Sequence, residues 1–156
     1  MEDVRDEVTV TEGRPLRAAQ LGRESYKVQK ATLTKIASVR DLEVYQKAFQ
    51  AAMEIFEVSK KFPADEKYSL TDQVRRSSRS VCSNLAEAWR KRRYEAVFIN
   101  KLSDAGQEAG ETQTWLEFAL SCKYIDEQRF TKLYEKYEHI FAMLINMERK
   151  AQSFCK

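Results

Sequence analysis

From residue 41 onward, apolar residues recur at alternating steps of three and four, the spacing that gathers them on one side of an α-helix. In the first such segment Leu42, Tyr45, Phe49, Ala52 and Phe56 form the stripe. Asp41 stands where it favours a helix start, and Pro63 sets the stop. This predicts a helix of about 20 residues, or roughly 30 Å. A turn at residues 62–66 follows. Ser69 or Thr71 can then cap a second helix, whose inward positions run Val74, Ser78, Val81, Leu85 and Ala88. A third stripe runs Phe98, Leu102, Ala105, Ala109, Thr112, Leu116 and Ala119 and ends near residues 123–126. The fourth, Phe130, Leu133, Tyr137, Ile140, Leu144, Met147, Ala151 and Phe154, keeps the alternation throughout.

Four amphipathic helices with short connections predict an all-α fold, an antiparallel up-down-up-down four-helix bundle over residues 39–156. Gly106 and Gly110 lie one turn apart inside the third helix, where each costs about 1 kcal/mol relative to alanine. They therefore call for a close neighbour, another helix of the bundle or another subunit. Residues 1–38 have no sustained periodicity. Residues 1–12 carry five acids against one base, and residues 14–40 seven bases against one acid. Such a segment reads as a flexible tail. A basic arm that grips nucleic acid, or a translation start assigned too far upstream, are the other two readings.

Composition narrows the class. With 156 residues, four glycines, two prolines and 33% charged residues, the chain suits one helical domain with a core of its own. No apolar run approaches the roughly 20 residues that cross a bilayer. The acidic N-terminus lacks the basic and apolar regions of a secretory signal, so a cytoplasmic protein without a membrane partner is expected. Cys82, Cys122 and Cys155 are odd in number and nowhere form a CxxC pair, which suits ordinary thiols in a reducing compartment. The single histidine, His139, follows Glu135 by four residues. A di-iron bundle needs Glu-x-x-His pairs on two helices, so no metal or other cofactor is expected. No phosphate-binding glycine loop follows a strand, and an enzyme is not expected.

Charge then singles out the second helix. Residues 73–93 hold Arg75, Arg76, Arg79, Arg90, Lys91, Arg92 and Arg93 against one acid, Glu87, a local net charge of +6 in a chain of +3. Arg75, Arg79, Arg90 and Arg93 fall within about 60° on a helical wheel. If the core pattern continued, Arg92 would point inward, which requires a helix end or a side chain that snorkels outward. Outside this segment, residues 41–156 have a net charge of −5. Arginine exceeds lysine six to one in the segment, and its planar fork suits phosphate. Trp89 and Tyr94 stand beside the basic knot and can stack on bases or close the core. Asn84, Glu87, Glu108, Glu111 and Gln113 can converge on one groove. The preferred reading makes Asn84, Glu87 and Glu111 a structural polar network that fixes helix register, with Glu87 or Glu111 paired to an arginine.

The blocks DLEVYQKAF (41–49), FP (62–63), YSLTDQVRR (68–76), SNLAE (83–87), ETQ (111–113) and WLEFA (115–119) together resemble a known family. Its members are the four-helix-bundle proteins encoded in intervening sequences of bacterial large-subunit ribosomal RNA genes. The resemblance covers residues 39–151, and Ala88 stands where many members carry glycine. It implies an up-down bundle that assembles into a ring, typically a pentamer, in the bacterial cytoplasm. It also implies a relation to the accessory proteins of diversity-generating retroelements, whose basic pentamers bind nucleic acid and a reverse transcriptase. The resulting expectation is a homo-oligomer that binds RNA or DNA through phosphate contacts of the seven basic residues. The alternative is an oligomeric scaffold for a protein partner, whose arginines form intersubunit ion pairs.

Overall fold

The computed structural model describes residues 36–155, and among them the regular structure is helical throughout. Four long helices, α1 (Glu43–Ser59), α2 (Leu70–Lys91), α3 (Glu95–Ser121) and α4 (Glu127–Arg149), are followed by a short α5 (Ala151–Phe154). Single 3-10 turns at Val39–Asp41 and Ala64–Glu66 precede α1 and α2. Connections of residues 60–69, 92–94 and 122–126 are too short to cross the bundle, so consecutive helices run antiparallel. Each long helix packs on two others in the cyclic order α1, α2, α3, α4; the α2–α3 contact is the most extensive and α1–α4 the least. The readings of residues 1–38 as tail, arm or misplaced start fall, for residues 1–35, outside the described residues.

The helix boundaries follow local hydrogen bonding. Ser38 and Asp41 form a reciprocal capping box around the first 3-10 turn, and Asp41 Oδ2 accepts from the N–H groups of Ala37 and Ser38 at 3.0 and 2.8 Å. The helix-starting role expected of Asp41 thus falls on this turn. The cap position of α1 itself is Leu42, which offers no side-chain bond. At α2, neither Ser69 nor Thr71 supplies the cap; Glu66 accepts from the Leu70 N–H at 3.1 Å and from the Ser69 hydroxyl. Asp126 caps α4 by accepting from the Arg129 N–H at 2.7 Å. After α3, Lys123 takes a φ of 61°, and the N–H groups of Lys123 and Tyr124 donate back to Leu120 and Ala119. This is the pairing of a Schellman stop, with lysine where glycine is usual.

The stripes of α2 and α3 are buried at every expected position. In α4 the same holds from Leu133 to Ala151, with Phe130 and Phe154 half-buried at the ends. Helix α1 differs. Its buried face is Val44, Ala48, Ala51, Ala52 and Ile55, whereas Phe49 is 53% exposed and Tyr45 and Phe56 are half-buried. Apolar residues occupy so much of the circumference of α1 that the spacing fits two stripes offset by one residue. The small side chains of Ala48 and Ala51 won the interior position.

The two glycines of α3 part company. Gly106 is buried, and a Cβ there would stand 3.1 Å from Cε2 of the Phe141 ring, so its absence lets α3 and α4 approach. Gly110 is exposed, and a Cβ would meet nothing within 4 Å. Within the chain its helix-propensity cost has no compensating contact.

Candidate nucleic-acid interface

The first three arginines of α2 sit on a platform built by α1. Arg75 Nε donates to Ser59 Oγ at 2.7 Å, and its guanidinium lies 5.0 Å from the centre of the Phe56 ring. Arg79 lies 5.7 Å from the same ring, and Lys60 Nζ 4.6 Å. Phe56, half out of the core, thus carries three cations on its π face, an arrangement attractive through the ring quadrupole. Arg76 and Arg79 are exposed and Arg75 is half-buried. Among the described residues none of the three has a carboxylate within ion-pairing distance, and every ion pair is made by a lysine. Beside them lies an open recess of about 480 Å³ lined by Tyr68, Asp72, Arg75, Arg76, Arg79 and Ser83, among others. Tyr68 is 83% exposed.

The second cluster is used differently. The helix ends at Lys91, and Arg92 turns back on it: Nη1 donates to the Trp89 carbonyl at 2.6 Å, and the guanidinium stacks 4.1 Å from the Trp89 ring. This resolves the inward register of Arg92 by ending the helix, and it makes Arg92 a cap on the last turn of α2. Trp89 is buried and closes the core, so it is withdrawn from stacking on bases. Tyr94 is exposed, with the Arg93 guanidinium 5.9 Å from its ring. Arg90, Lys91 and Arg93 are exposed, and cations in a last turn also favour the helix dipole. Arg79 and Arg90 are three turns apart, about 16 Å along the axis. The seven basic residues therefore form two groups.

The polar residues of α2 and α3 gather around Lys101, which sequence reasoning passed over. Its ammonium pairs with Glu87 at 2.9 Å and Asp104 at 3.3 Å, and donates to Asn84 Oδ1 at 3.5 Å. The Glu87 hydrogen bond, then that of Asp104, raises the lysine above its ordinary pKa. Glu87 and Asn84 thus both contact Lys101, and a lysine, not an arginine, joins them. Glu111 lies apart from it and accepts from Trp115 Nε1 at 3.1 Å. Gln113 turns to α4, donating to Glu138 Oε1 at 2.6 Å. Glu108 is pushed above the ordinary carboxyl value by burial first and by Glu111 second, with Arg76 acting against both. The five side chains do not converge on one groove.

Other chemistry is sparse. Burial pushes the Cys82 thiol up to about 11, which leaves it a poor nucleophile. His139 is an exposed residue of α4. Among the described residues, no group of three His, Cys, Asp or Glu side chains is placed to hold a metal, and no helix is long and apolar enough to cross a membrane. A groove of about 750 Å³ lies between α1 and α4, away from the arginines of α2. Its Glu54 is already bound by Lys136 and approached by Lys132 at 4.0 Å. Sequence reasoning also missed Tyr68 and the Phe56–Ser59 platform. Tyr68 could have been found from its place in a turn, outside every apolar stripe; Phe56 was hidden because it fits a core stripe.

Comparison with known proteins supplies a family. The profile described as 23S rRNA-intervening sequence protein matches residues 40–146. A crystal structure of a protein of unknown function from the S23 ribosomal protein family of Bacteroides thetaiotaomicron is similar at 30% identity and a TM-score of 0.62. It covers 67% of this chain and 97% of its own. No match was found among curated proteins.

Proposed function

Because the chain belongs to the 23S rRNA-intervening sequence protein family, we propose that it is a non-enzymatic, homo-oligomeric nucleic-acid-binding bundle of the bacterial cytoplasm, with RNA as the favoured ligand. The observation that carries this reading is the state of the arginines on α2. Arg75, Arg76 and Arg79 are held or exposed beside an open recess and form no ion pair among the described residues, where lysines take the acids. Unpaired guanidinium groups at fixed spacing suit phosphate oxygens. Arg90, Lys91 and Arg93 extend the positive surface, and Arg92 contributes charge from its capping position. Repetition around an oligomer, for which the family resemblance suggests five copies, multiplies a weak patch into avid binding.

A salt titration tests it. Binding of structured RNA or single-stranded DNA is expected to weaken steeply as salt rises, with a slope of about −0.7 to −0.9 per phosphate neutralised. The double substitution Arg79→Glu with Arg93→Glu should reduce affinity by at least about tenfold, at roughly 1 kcal/mol or more per charged contact. Salt-insensitive binding, or an unchanged affinity in the double variant, would overturn the reading.

One observation favours a second reading, the protein-binding scaffold with intersubunit ion pairs. Phe49, Met53, Phe118 and Phe141 are exposed, and Gly110 faces open space, so apolar surface remains for another chain to cover. If light scattering finds that the same double variant falls to monomers, the arginines serve assembly.

A further inference from the structure

We propose that the recess at the N-terminal end of α2 takes an unpaired nucleotide, with Tyr68 as the platform for its base and Arg76 and Arg79 as the contacts for its phosphates. The proposal rests on the nucleic-acid reading above and deepens it, because it selects single-stranded over duplex ligand. Tyr68 is the most exposed large hydrophobic side chain of the described residues at 83%, and it belongs to no apolar stripe. A ring so placed makes little contribution to folding by burial, and the nearby Lys67 ammonium lies 5.0 Å from its centre. The same recess is lined by Arg75, Arg76 and Arg79. At about 480 Å³ it falls within the roughly 300–1,000 Å³ of ordinary ligand pockets.

The combination discriminates between forms of nucleic acid. A duplex hides its base faces in the stack, so it can use the arginines but has nothing to lay on Tyr68. An unpaired strand exposes both phosphates and a π face, and stacking on an aromatic ring tolerates any base. Arg75 is fixed by Ser59 and Phe56, which limits the side-chain entropy lost on binding at this side of the recess. Asp72 also lines the recess, one turn before Arg76 and two before Arg79 on the same helix face, where it offsets part of their positive charge. Tyr94, exposed at the opposite end of α2 beside Arg93, offers a second ring to a strand that follows the helix.

The test is fluorescence anisotropy with the full chain, a short labelled single-stranded RNA and its blunt duplex at one salt concentration. The strand should bind more tightly than the duplex. Tyr68→Ala should weaken binding of the strand about fivefold to a hundredfold and leave duplex binding unchanged, whereas Tyr68→Trp should retain it. Circular dichroism should be the same for all three proteins. Strand binding that is indifferent to Tyr68→Ala, or a duplex bound as tightly as the strand, overturns the stacking proposal while the arginine reading stands. If neither nucleic acid binds with salt sensitivity, both fall.

Discussion

At the start of α2, Arg75 rests on Phe56 and Ser59 of a neighbouring helix while Arg76 and Arg79 face an open recess. At its end, Arg92 folds onto Trp89 and closes the helix, leaving Arg90, Lys91 and Arg93 around it on the surface. The residue type is the same at both ends, and the partners differ. Where the neighbouring helix provides an apolar ring and a hydroxyl, guanidinium groups are positioned without an ion pair among the described residues. Where the helix must terminate, one guanidinium is consumed by an unpaired carbonyl. A run of arginines is thus a set of separate tasks assigned by what lies next to each.

Arg92→Ala breaks the comparison at the C-terminal end. It removes a charge-assisted bond to the Trp89 carbonyl and a stacked cation, together worth about 1–2 kcal/mol at this half-buried position. Urea denaturation should show that loss, and nucleic-acid affinity should fall by no more than one phosphate contact, about twofold to fivefold. An affinity loss larger than this with unchanged stability would move Arg92 into the same class as Arg76 and Arg79.

Ser59→Ala sharpens the other end. The hydroxyl accepts from Arg75 and donates to the Phe56 carbonyl at 3.1 Å, so its removal should cost about 1 kcal/mol of stability. Affinity should drop only about twofold to threefold, since Arg75 keeps its charge and loses its fixed position. Measuring both quantities on one preparation separates the two effects. If affinity is unchanged, anchoring of Arg75 is structural alone.

The same logic explains what could be read in the sequence. In α3 and α4 the three-and-four spacing coincides with the face that packs, so Phe98 to Ala119 and Leu133 to Ala151 are buried at the stripe positions. In α1 the apolar arc is broad, and large aromatic residues drew the stripe onto Phe49, which is half in solvent. Binary patterning cannot decide between adjacent registers when both are apolar; packing volume does. The candidate site was legible as composition, a +6 segment on one helix. Its division was not, because the separation depends on a helix end at Lys91 and on Phe56, a residue of another helix. Lys101 was invisible for a related reason: an isolated lysine shows no pattern, and its significance arises only where α2 and α3 bring three acceptors around it.

The smallest expected effect concerns the turn that carries Tyr68. Glu66 accepts from the Ser69 hydroxyl, from the Leu70 N–H and from Tyr124 Oη at 3.0 Å. It thereby ties the connection before α2 to the one before α4. The Ser69 hydrogen bond, followed by those of Leu70 and Tyr124, holds its carboxyl below the ordinary value of 4.5. A lowered folded-state pKa means that the unfolded chain takes up the proton first. The stabilisation is therefore complete above the unfolded value of 4.5 and is lost as pH falls through the lower folded value. Urea midpoints followed from neutral pH down through this range should decline more for the native chain than for Glu66→Gln. Parallel declines would remove Glu66 from the groups that hold this end of the bundle. Tyr68 would then stand on a turn that only its backbone fixes, in contrast to Arg75, which Ser59 anchors.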